Sequence, residues 1–372
     1  MSHAFFSKTY AEARAKFRDG AAKARAKASA FGMPFSRGAE DEALSMDVAW
    51  LGPIAPRGAV IVTSGTHGVE GFAGSGFQCA FLAGHGPTRL PDDVAVMLVH
   101  AINPFGFSHI CRVNELNVDL NRNFVDFRHL QPSPDYDRLH GAIVPREWSG
   151  EARLRADRFI DDTWETLGER GFQQAVCRGQ YTHADGLFYG GTAPSWSNIA
   201  WRKCLAGLPR SIDVLAHIDI HTGLGPFGYG EMVYSLPTDN PALALARQLY
   251  DGLEFQTTGG SRSATTSIGG TMNHAVIETG FEVQATSLSL EFGTVEFRRM
   301  FEALRADNWL RVRTPDGFPD ESEIRRELLS CFYPSDMGWQ EAVVERCHEV
   351  LAKTLAGVDE RLESGRHTRN GK

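Results

Sequence analysis

The chain has 372 residues, of which 42% are hydrophobic and 23% are charged, so it has ample apolar material for a large buried core. Its formal net charge of -8 and isoelectric point of about 5.9 argue against a basic surface for nucleic acid. No segment approaches the roughly 20 apolar residues that span a membrane, and residues 1–18 lack the apolar stretch of a secretory signal. We therefore expect a soluble cytoplasmic protein with no nucleic-acid or membrane partner.

Helices and short apolar strands are predicted in alternation along the chain. A segment rich in Ala, Lys and Arg predicts an N-terminal helix at about 8–30. The next elements, in chain order, are strand 59–64, helix 72–83, strand 94–100, helix 147–178, strands 214–221 and 231–236, helix 240–254, a mobile Gly/Ser/Thr-rich loop at 259–270, strand 286–292 and a final helix at about 334–363. This alternation predicts an α/β sheet with helices on both faces. No repeat, linker or break in composition divides residues 1–372, so we expect one domain.

A His-x-x-Glu pair follows the first of these strands. His67 and Glu70 are three residues apart, which places both side chains on one side of a single turn, and glycines flank them. Ligands of open α/β sheets bind at the carboxyl ends of the strands, where this pair is expected to lie. The pair is therefore a candidate for half of a metal site.

A second histidine, His221, ends a later strand at the same kind of position. Two histidines and one glutamate, with a fourth position left to water, are the pattern of a catalytic zinc site. A rival set of His217, Asp219 and His221 on one strand is disfavoured, because ligands spaced two residues apart spread over about 12 Å. We expect His217 to be a hydrogen-bonded core residue and Asp219 to orient a ligand.

Glu291 ends the last predicted core strand. Burying its carboxylate costs free energy unless it has a functional role or a bonding partner. A zinc site that activates water needs a general base within hydrogen-bond reach of that water. Glu291 is the best candidate for this base. The alternative is a solvated glutamate at a strand end.

Residues 112–124 contain two arginines and four asparagines around a short apolar stretch. Asparagine favours turns, and the planar fork of arginine matches a carboxylate in a bidentate manner. Arg122 is therefore a candidate carboxylate clamp, although a polar surface loop would have the same composition.

Two other motifs are rejected as functional sites. Residues 223–228 fit Gly-x-Gly-x-x-Gly, but a strand and not a helix is predicted after them, so no helix N-terminus is expected to bind a pyrophosphate. The sequence contains no Gly-x-Ser-x-Gly motif, which argues against a serine nucleophile of the α/β-hydrolase type.

Taken in order, these motifs resemble the zinc carboxypeptidase (carboxypeptidase A-like) metallohydrolase family over residues 59–293. The resemblance implies a three-layer α/β/α fold with a mixed, mostly parallel central sheet, and one Zn²⁺ per chain. It assigns metal binding to His67, Glu70 and His221, the general base to Glu291 and stabilisation of the oxyanion to Arg112. By the same resemblance, Asn121 and Arg122 bind a substrate carboxylate.

The sequence also departs from the peptidases of that family. They carry a tyrosine about twenty residues before the base, whereas residues 259–272 contain none. Residues 186–191 and 194–198 have no peptidase role and resemble a less characterised bacterial branch of the family. The resemblance therefore implies zinc-dependent amide hydrolysis of a small substrate with a free carboxylate, either a peptide or an N-acyl amino acid.

Two alternatives and the oligomeric state stay open from sequence. One is an N-acyl amino acid deacylase of the aspartoacylase/desuccinylase type, and the other is a non-catalytic zinc- or ligand-binding protein on the same fold. The presence of both Glu291 and Arg112 favours an enzyme, because a binding protein needs neither a general base nor an oxyanion donor.

Overall fold

A computed structural model describes residues 2–84, 89–260, 263, 268–279, 283–314 and 321–370 of the chain. Its central feature is an eight-stranded sheet with the strand order β1-β2-β4-β3-β5-β8-β6-β7. The strands are β1 Lys27–Arg37, β2 Ala43–Leu51, β3 Gly58–Ser64, β4 Val94–His100, β5 Val214–Phe227, β6 Gly230–Tyr234, β7 Gln256–Thr257 and β8 Gln284–Gly293.

The four strands in the middle of the sheet, β4, β3, β5 and β8, run parallel to one another. The flanking strands β2 and β6 pair antiparallel with β4 and β8, so the sheet is mixed. Because the carboxyl ends of parallel strands lie at one edge, the residues after β3, at the end of β8 and late in β5 come together there.

The helices of the described chain are α1 Tyr10–Lys23, α2 Gly71–Leu82, α3 Pro104–Ser108, α4 Pro134–Ile143, α5 Gly150–Cys177, α6 Trp196–Ala206, α7 Pro241–Leu249, α8 Asn273–Ile277, α9 Phe297–Arg313, α10 Glu321–Phe332 and α11 Met337–Asn370. Short 3₁₀ helices lie at Ser2–Phe5, Gly68–Glu70 and Leu120–Arg122. Among the described residues, no helix combines the length and the apolar character that crossing a bilayer requires.

Alternating side chains of the parallel strands pack on opposite faces of the sheet, as the two-residue repeat of a strand requires. Val60 and Val62 pack with apolar side chains of α2, α7 and α11, whereas Ile61 packs on the other face with α6 and α8. Because both faces are covered, β3 and β4 are largely apolar, which made them recognisable in the sequence. The predicted three-layer α/β/α fold is confirmed.

The predicted N-terminal helix at 8–30 is wrong over its last seven residues, 24–30. α1 ends at Lys23, Arg25 adopts a positive φ of 56°, and β1 begins at Lys27. From Lys27 the backbone pairs antiparallel with β2, in the register that joins Lys27 to Trp50. The Ala- and Lys-rich composition favours a helix locally, but the hydrogen bonds to β2 override this weak preference.

The other helix predictions differ from the structure mainly in detail. The C-terminal helix begins at Met337, three residues later than predicted, and the Asp336 carboxylate accepts the N–H of Trp339 in its first turn. α5 covers most of 147–178 but is interrupted at Gly168, where φ is 68°. The loop predicted at 259–270 lies partly outside the described residues, and the single-domain organisation stays a prediction.

Candidate metal and active site

The structure brings His67, Glu70 and His221 together at the carboxyl edge of the sheet. One nitrogen of each imidazole and a Glu70 oxygen lie within 4.8 Å of one another, and all three residues are buried. Nδ1 of His67 lies 2.8 Å from Oε1 of Glu70, and Nδ1 of His221 lies 2.9 Å from Oε2. Both imidazoles therefore face the two oxygens of one carboxylate.

The turn after β3 positions the first two of these residues. His67 precedes the 3₁₀ helix Gly68–Glu70, which turns the Glu70 side chain back toward the imidazole before α2 begins. A Cβ atom at Gly68 would lie 1.9 Å from the backbone carbonyl carbon of Gly106. The glycine after His67 is thus required by the close approach of another backbone segment.

The outward nitrogen of each imidazole is held by a further buried carboxylate. Nε2 of His67 lies 3.1 Å from Oδ1 of Asp119, and Nε2 of His221 lies 2.6 Å from Oδ2 of Asp219. A carboxylate only accepts hydrogen bonds, so each Nε2 carries a hydrogen. This arrangement, in which a carboxylate fixes the tautomer of a histidine, is typical of metal-binding histidines.

A divalent cation fits the centre of this cluster. With a hydrogen on each Nε2, each Nδ1 needs either a second proton or a metal ion between it and Glu70. Two protons would place two buried imidazolium rings with centroids 5.0 Å apart, and such like charges repel. One divalent ion supplies the same charge and satisfies both lone pairs, with a donor set of two imidazoles and one carboxylate that suits zinc.

The charges around the cluster favour positive charge at its centre. Burial opposes ionisation of Glu70, but the neighbouring charge of His67 and a hydrogen bond from His221 outweigh it and hold the pKa of Glu70 below its ordinary value. Burial also opposes a charge on His221, but Asp219 outweighs it and raises the pKa of His221 well above its ordinary value. Both shifts favour a negative carboxylate at Glu70 with positive charge beside it, so the site is well suited to a cation.

Asp219 and His217 have the places in β5 that the sequence predicted. Oδ1 of Asp219 accepts hydrogen bonds from the hydroxyls of Thr63 and Thr66 at 2.6 and 2.8 Å. His217 is fully buried and lies 2.9 Å from the hydroxyl of Thr63 and 2.7 Å from that of Ser287. The prediction of a hydrogen-bonded core histidine at 217 is confirmed. Asp219 makes the contact with His221 that an orienting carboxylate needs, and that role stays a prediction.

Arg112 joins two of the carboxylates of the site. Its Nη1 donates to Oε1 of Glu70 and its Nε donates to Oδ2 of Asp119, both at 3.0 Å. Burial opposes ionisation of Asp119, but the charge of Arg112 outweighs it and holds the pKa of Asp119 well below its ordinary value. Two of the five N–H bonds of Arg112 are used in this way, and its side chain lines the cavity described below.

Asn121 and Arg122 lie in the 3₁₀ helix that Asp119 caps. Oδ1 of Asn121 accepts the N–H of Met272 at 3.0 Å, and its Nδ2 lies 3.3 Å from Nε2 of His221. The buried guanidinium of Arg122 donates to the backbone oxygen of Asn121 at 2.9 Å and, through Nε and Nη2, to that of Cys177. Three of its five N–H bonds thus go to the backbone, which leaves two for a ligand. The carboxylate-binding role of these residues stays a prediction.

Glu291 lies beside His221, because these two residues are partners in the parallel register of β5 and β8. Its Oε1 accepts the backbone N–H of Leu224 at 3.1 Å, and the residue lines the cavity described below. Burial, reinforced by the negative charge of Glu70, raises the pKa of Glu291 to about 7. Gly223, with φ of 149°, passes close to Glu291, and a Cβ atom there would lie 3.2 Å from Oε1.

A cavity of about 100 Å³ joins these groups. All seven predicted site residues line it: His67, Glu70, Arg112, Asn121, Arg122, His221 and Glu291. Much of the remaining wall is apolar and comes from residues distant in sequence, among them Phe188, Leu224, Val233, Phe297, Met300, Leu304 and Phe332. The structure therefore combines a polar cluster with a largely apolar wall, which is the composition typical of a small-molecule site.

Sequence reasoning missed the role of Asp119, which accepts hydrogen bonds from His67, from Arg112 and from the backbone of Asn121. Asp219 was recognised because it is two residues from the histidine that it holds. Asp119 is 52 residues from His67, and its only sequence signal is a position just before a turn-forming segment.

A family model described as "Protein of unknown function (DUF2817)" matches residues 6–346. The chain belongs to the DUF2817 family. Comparison of this DUF2817 chain with curated protein sequences gives no match.

Solved structures similar to the DUF2817 chain include two of thrombin-activatable fibrinolysis inhibitor. One is a complex of the bovine protein with tick carboxypeptidase inhibitor: the TM-score is 0.50, the identity is 14%, and the match covers 95% of this chain and 98% of that chain. For the other the TM-score is 0.51, the identity is 14%, and the coverage is 94% and 74%. A carboxypeptidase A from Helicoverpa armigera matches more weakly, with a TM-score of 0.42, 14% identity and coverage of 93% and 74%.

At identities this low, the likeness shows the fold alone. The DUF2817 chain has the carboxypeptidase-like α/β fold that the ordered motifs predicted. Its buried His67, Glu70 and His221 resemble a zinc site.

Proposed function

We propose that this DUF2817 protein is a zinc-dependent amide hydrolase acting on a small substrate with a free carboxylate. The observation that carries the proposal is the convergence of the two Nδ1 atoms of His67 and His221 on one buried carboxylate, Glu70. A further carboxylate fixes each imidazole through its Nε2, so the donor set is held in place before any ion binds.

Bound at these three residues, zinc would supply a Lewis acid and lower the pKa of water in the open position of the site. Glu291 is the group of this chain that would accept a proton from that water. Its Oε1 is engaged by the N–H of Leu224, so Oε2 is the oxygen that takes the proton. The hydrogen bond holds the carboxylate in one orientation, which favours proton transfer to a defined place.

Arg112 would act on the oxygen of the scissile carbonyl. Two of its N–H bonds are engaged by Glu70 and Asp119, and these bonds fix the plane of the guanidinium. Its remaining N–H bonds would donate to negative charge as it develops on the substrate oxygen. Fixed donors of this kind stabilise a transition state without having to reorganise.

A free carboxylate on the substrate would be bound by the two unengaged N–H bonds of Arg122 and by the side chain of Asn121. The apolar wall formed by Phe188, Leu224 and other side chains would bury the uncharged part of the substrate. These features suit a small peptide and an N-acyl amino acid equally well, so a deacylase of the aspartoacylase/desuccinylase type is the second candidate. A zinc- or ligand-binding protein without catalysis is the third.

The test is turnover by the full-length protein loaded with zinc. The panel pairs short peptides with a free C-terminal carboxylate against their C-terminal amides, and adds N-acyl amino acids with acyl groups of different length. We expect hydrolysis of at least one carboxylate-bearing class, loss of it after chelation and its return with zinc. Full zinc occupancy without turnover of any substrate in the panel would favour the binding protein.

A further inference from the structure

A second cluster of metal-type side chains lies away from the active-site residues, where α4 meets the loop between α5 and α6. One nitrogen each of His140 and His183 and one oxygen of Asp185 lie within 4.8 Å of one another, and all three residues are half-buried. We propose that His140, His183 and Asp185 form a second binding site for a zinc-class divalent metal ion, one that fixes the loop carrying Phe188.

The imidazoles are close and are oriented by carboxylates. Their ring planes stack with centroids 3.9 Å apart and an angle of 16°. Nε2 of His183 lies 2.9 Å from Oδ1 of Asp137, which leaves the lone pair of the neutral ring on Nδ1. Nε2 of His140 lies 3.2 Å from Oδ1 of Asp185. The first contact is the orienting kind that also holds His67 and His221.

Two stacked imidazoles at this separation are poorly suited to carrying two protons. The half-buried position of His140, stacked on His183, favours the neutral form of its ring. Neutral imidazoles have the free lone pair that a metal ion needs. The nearby ion pair of Arg313 with Oδ2 of Asp185, at 2.8 Å, leaves Oδ1 of that carboxylate facing His140.

The charge balance permits a divalent ion. Asp137 and Asp185 contribute two negative charges, and Arg313 contributes one positive charge, so the cluster with neutral imidazoles is negative overall. Ligand atoms around a tetrahedral zinc ion lie about 3.3 Å apart for metal–ligand distances of about 2.0–2.1 Å. Nε2 of His140 and Oδ1 of Asp185 already have this separation, at 3.2 Å. The side chain of His183 is 28% exposed, and turning its ring out of the stack with His140 would bring Nδ1 toward the ion while Asp137 holds Nε2.

The donor types select the class of metal ion. Two imidazoles and one carboxylate suit zinc and its neighbours, cobalt and nickel, whereas magnesium and calcium prefer sites made of oxygen atoms alone. A partly exposed site leaves room for water as the remaining ligand. We therefore expect zinc-class ions to bind and magnesium to be ineffective.

The backbone that carries two of these ligands is already ordered by other contacts. The buried side chain of Gln180 accepts the N–H of His183 at 2.8 Å and donates to the oxygen of His183 at 2.8 Å. Asn308 donates to the backbone oxygen of Asp185 at 2.8 Å. A ligand pair held on such a braced loop loses little conformational freedom when it binds an ion.

The loop also leads from this cluster to the active site. Phe188, three residues after Asp185, lines the active-site cavity, and its ring centroid lies 5.4 Å from Cζ of Arg112 and 5.5 Å from Cζ of Arg122. An ion that ties α4 to Asp185 would therefore fix the aromatic wall against which both arginines lie. This gives residues 186–191 a role that the active-site proposal does not supply.

The test is the zinc stoichiometry of the full-length chain after metal removal by a chelator, measured by calorimetric titration with ZnCl₂. We expect two zinc ions per chain in the unaltered protein. The double variant His67→Ala/His221→Ala should bind one, His183→Gln should bind one, and the combination should bind none. The control His129→Gln removes an exposed histidine that is paired only with Asp126 in the same region, and it should still bind two.

These variants distinguish a failure of the second metal site from a failure of the proposed function. The proposal is overturned if the double variant binds no zinc, or if its remaining zinc survives His183→Gln. Should the double variant fail to fold, as judged by circular dichroism, the comparison of the unaltered protein with His183→Gln and Asp185→Asn decides the question. Loss of one zinc ion in both single variants supports the site, and no loss overturns it.

The link to the loop has its own readout in hydrogen exchange. In the double variant, zinc should slow exchange of the backbone amides at 183–189, and magnesium at the same concentration should not. Zinc binding without slower exchange there would overturn the loop-fixing role.

Discussion

Nε2 of His221 lies 2.6 Å from Oδ2 of Asp219, a buried carboxylate whose other oxygen accepts the hydroxyls of Thr63 and Thr66. The contact joins the core of the sheet to the candidate metal site, because β5 carries both residues and β3 supplies Thr63. It fixes the orientation of the His221 imidazole, so that Nδ1 faces Glu70. The geometry of the ion site is therefore set by the sheet beneath it.

Replacing Asp219 by Asn should weaken zinc binding at His67, Glu70 and His221 by about 10–100-fold, because the amide no longer fixes the imidazole as a carboxylate does. The measurement is competition for zinc with a chromogenic chelator in the His183→Gln background. The control is Asp213→Asn, one residue before β5, where the carboxylate pairs with Arg57. Equal affinities in Asp219→Asn and the control would contradict the orienting role.

Replacing Glu291 by Gln should leave zinc bound and the fold intact while kcat falls by about 10²–10⁴ on a confirmed substrate. The amide keeps the shape of the side chain and still accepts the N–H of Leu224, but it takes no proton. Glu278→Gln, at an exposed glutamate paired with Arg202, is the control. Near-normal kcat in Glu291→Gln would move the base to another residue.

Replacing Arg122 by Ala should lower kcat/KM far more for a carboxylate-bearing substrate than for its amide. The expected difference is roughly 1.5–3 kcal/mol, the value of a charged hydrogen bond. Arg122 also donates to the backbone at Cys177 and Asn121, so the variant is expected to lose some stability as well. Circular dichroism and the amide substrate measure that structural part. Equal losses for the two substrates would show that Arg122 is structural only.

The free energy of unfolding should fall in mild acid because of His100. This histidine is fully buried and stacks on Phe17, and burial lowers its pKa to about 4, with a smaller opposing effect of Asp47. Between pH 6.5 and about 4 the unfolded chain binds a proton that folded His100 does not. The free energy of unfolding therefore falls as the pH falls through that window, by up to about 3 kcal/mol.

The measurement is urea unfolding at pH 7.5 and pH 5 for the unaltered protein and for His100→Gln. The variant should lose less stability between these two pH values, whatever its stability at pH 7.5. His129→Gln, which removes an exposed histidine, should keep the full pH dependence. An unchanged pH dependence in His100→Gln would show that this histidine is not responsible.

The parallel core of the fold was predictable because strands covered on both faces are largely apolar, as in β3 and β4. The outer strand β1 was not, because its side chains are mostly exposed and its first residues have a helix-like composition. Its structure depends on pairing with β2, and such a tertiary contact leaves no local pattern in the sequence.

The site was predictable where its residues are local in sequence or stand at the ends of parallel strands. His67 and Glu70 share one turn, and Asp219 and His221 share one strand, so spacing alone brings each pair together. The contact of Asp119 with His67 joins residues 52 positions apart, and the link from Arg122 to Cys177 joins residues 55 positions apart. The contact with Cys177 engages Nε and Nη2 of Arg122, so fewer of its N–H bonds remain for a substrate. This contact forms only in the folded chain.

The most direct test of the central claim is anomalous diffraction from crystals of the full-length protein grown with zinc, measured on both sides of the zinc absorption edge. The account predicts an anomalous peak about 2.0–2.2 Å from Nδ1 of His67, from Nδ1 of His221 and from a Glu70 oxygen. Density that shows these three side chains in contact without a peak between them, in crystals that contain zinc, would contradict it.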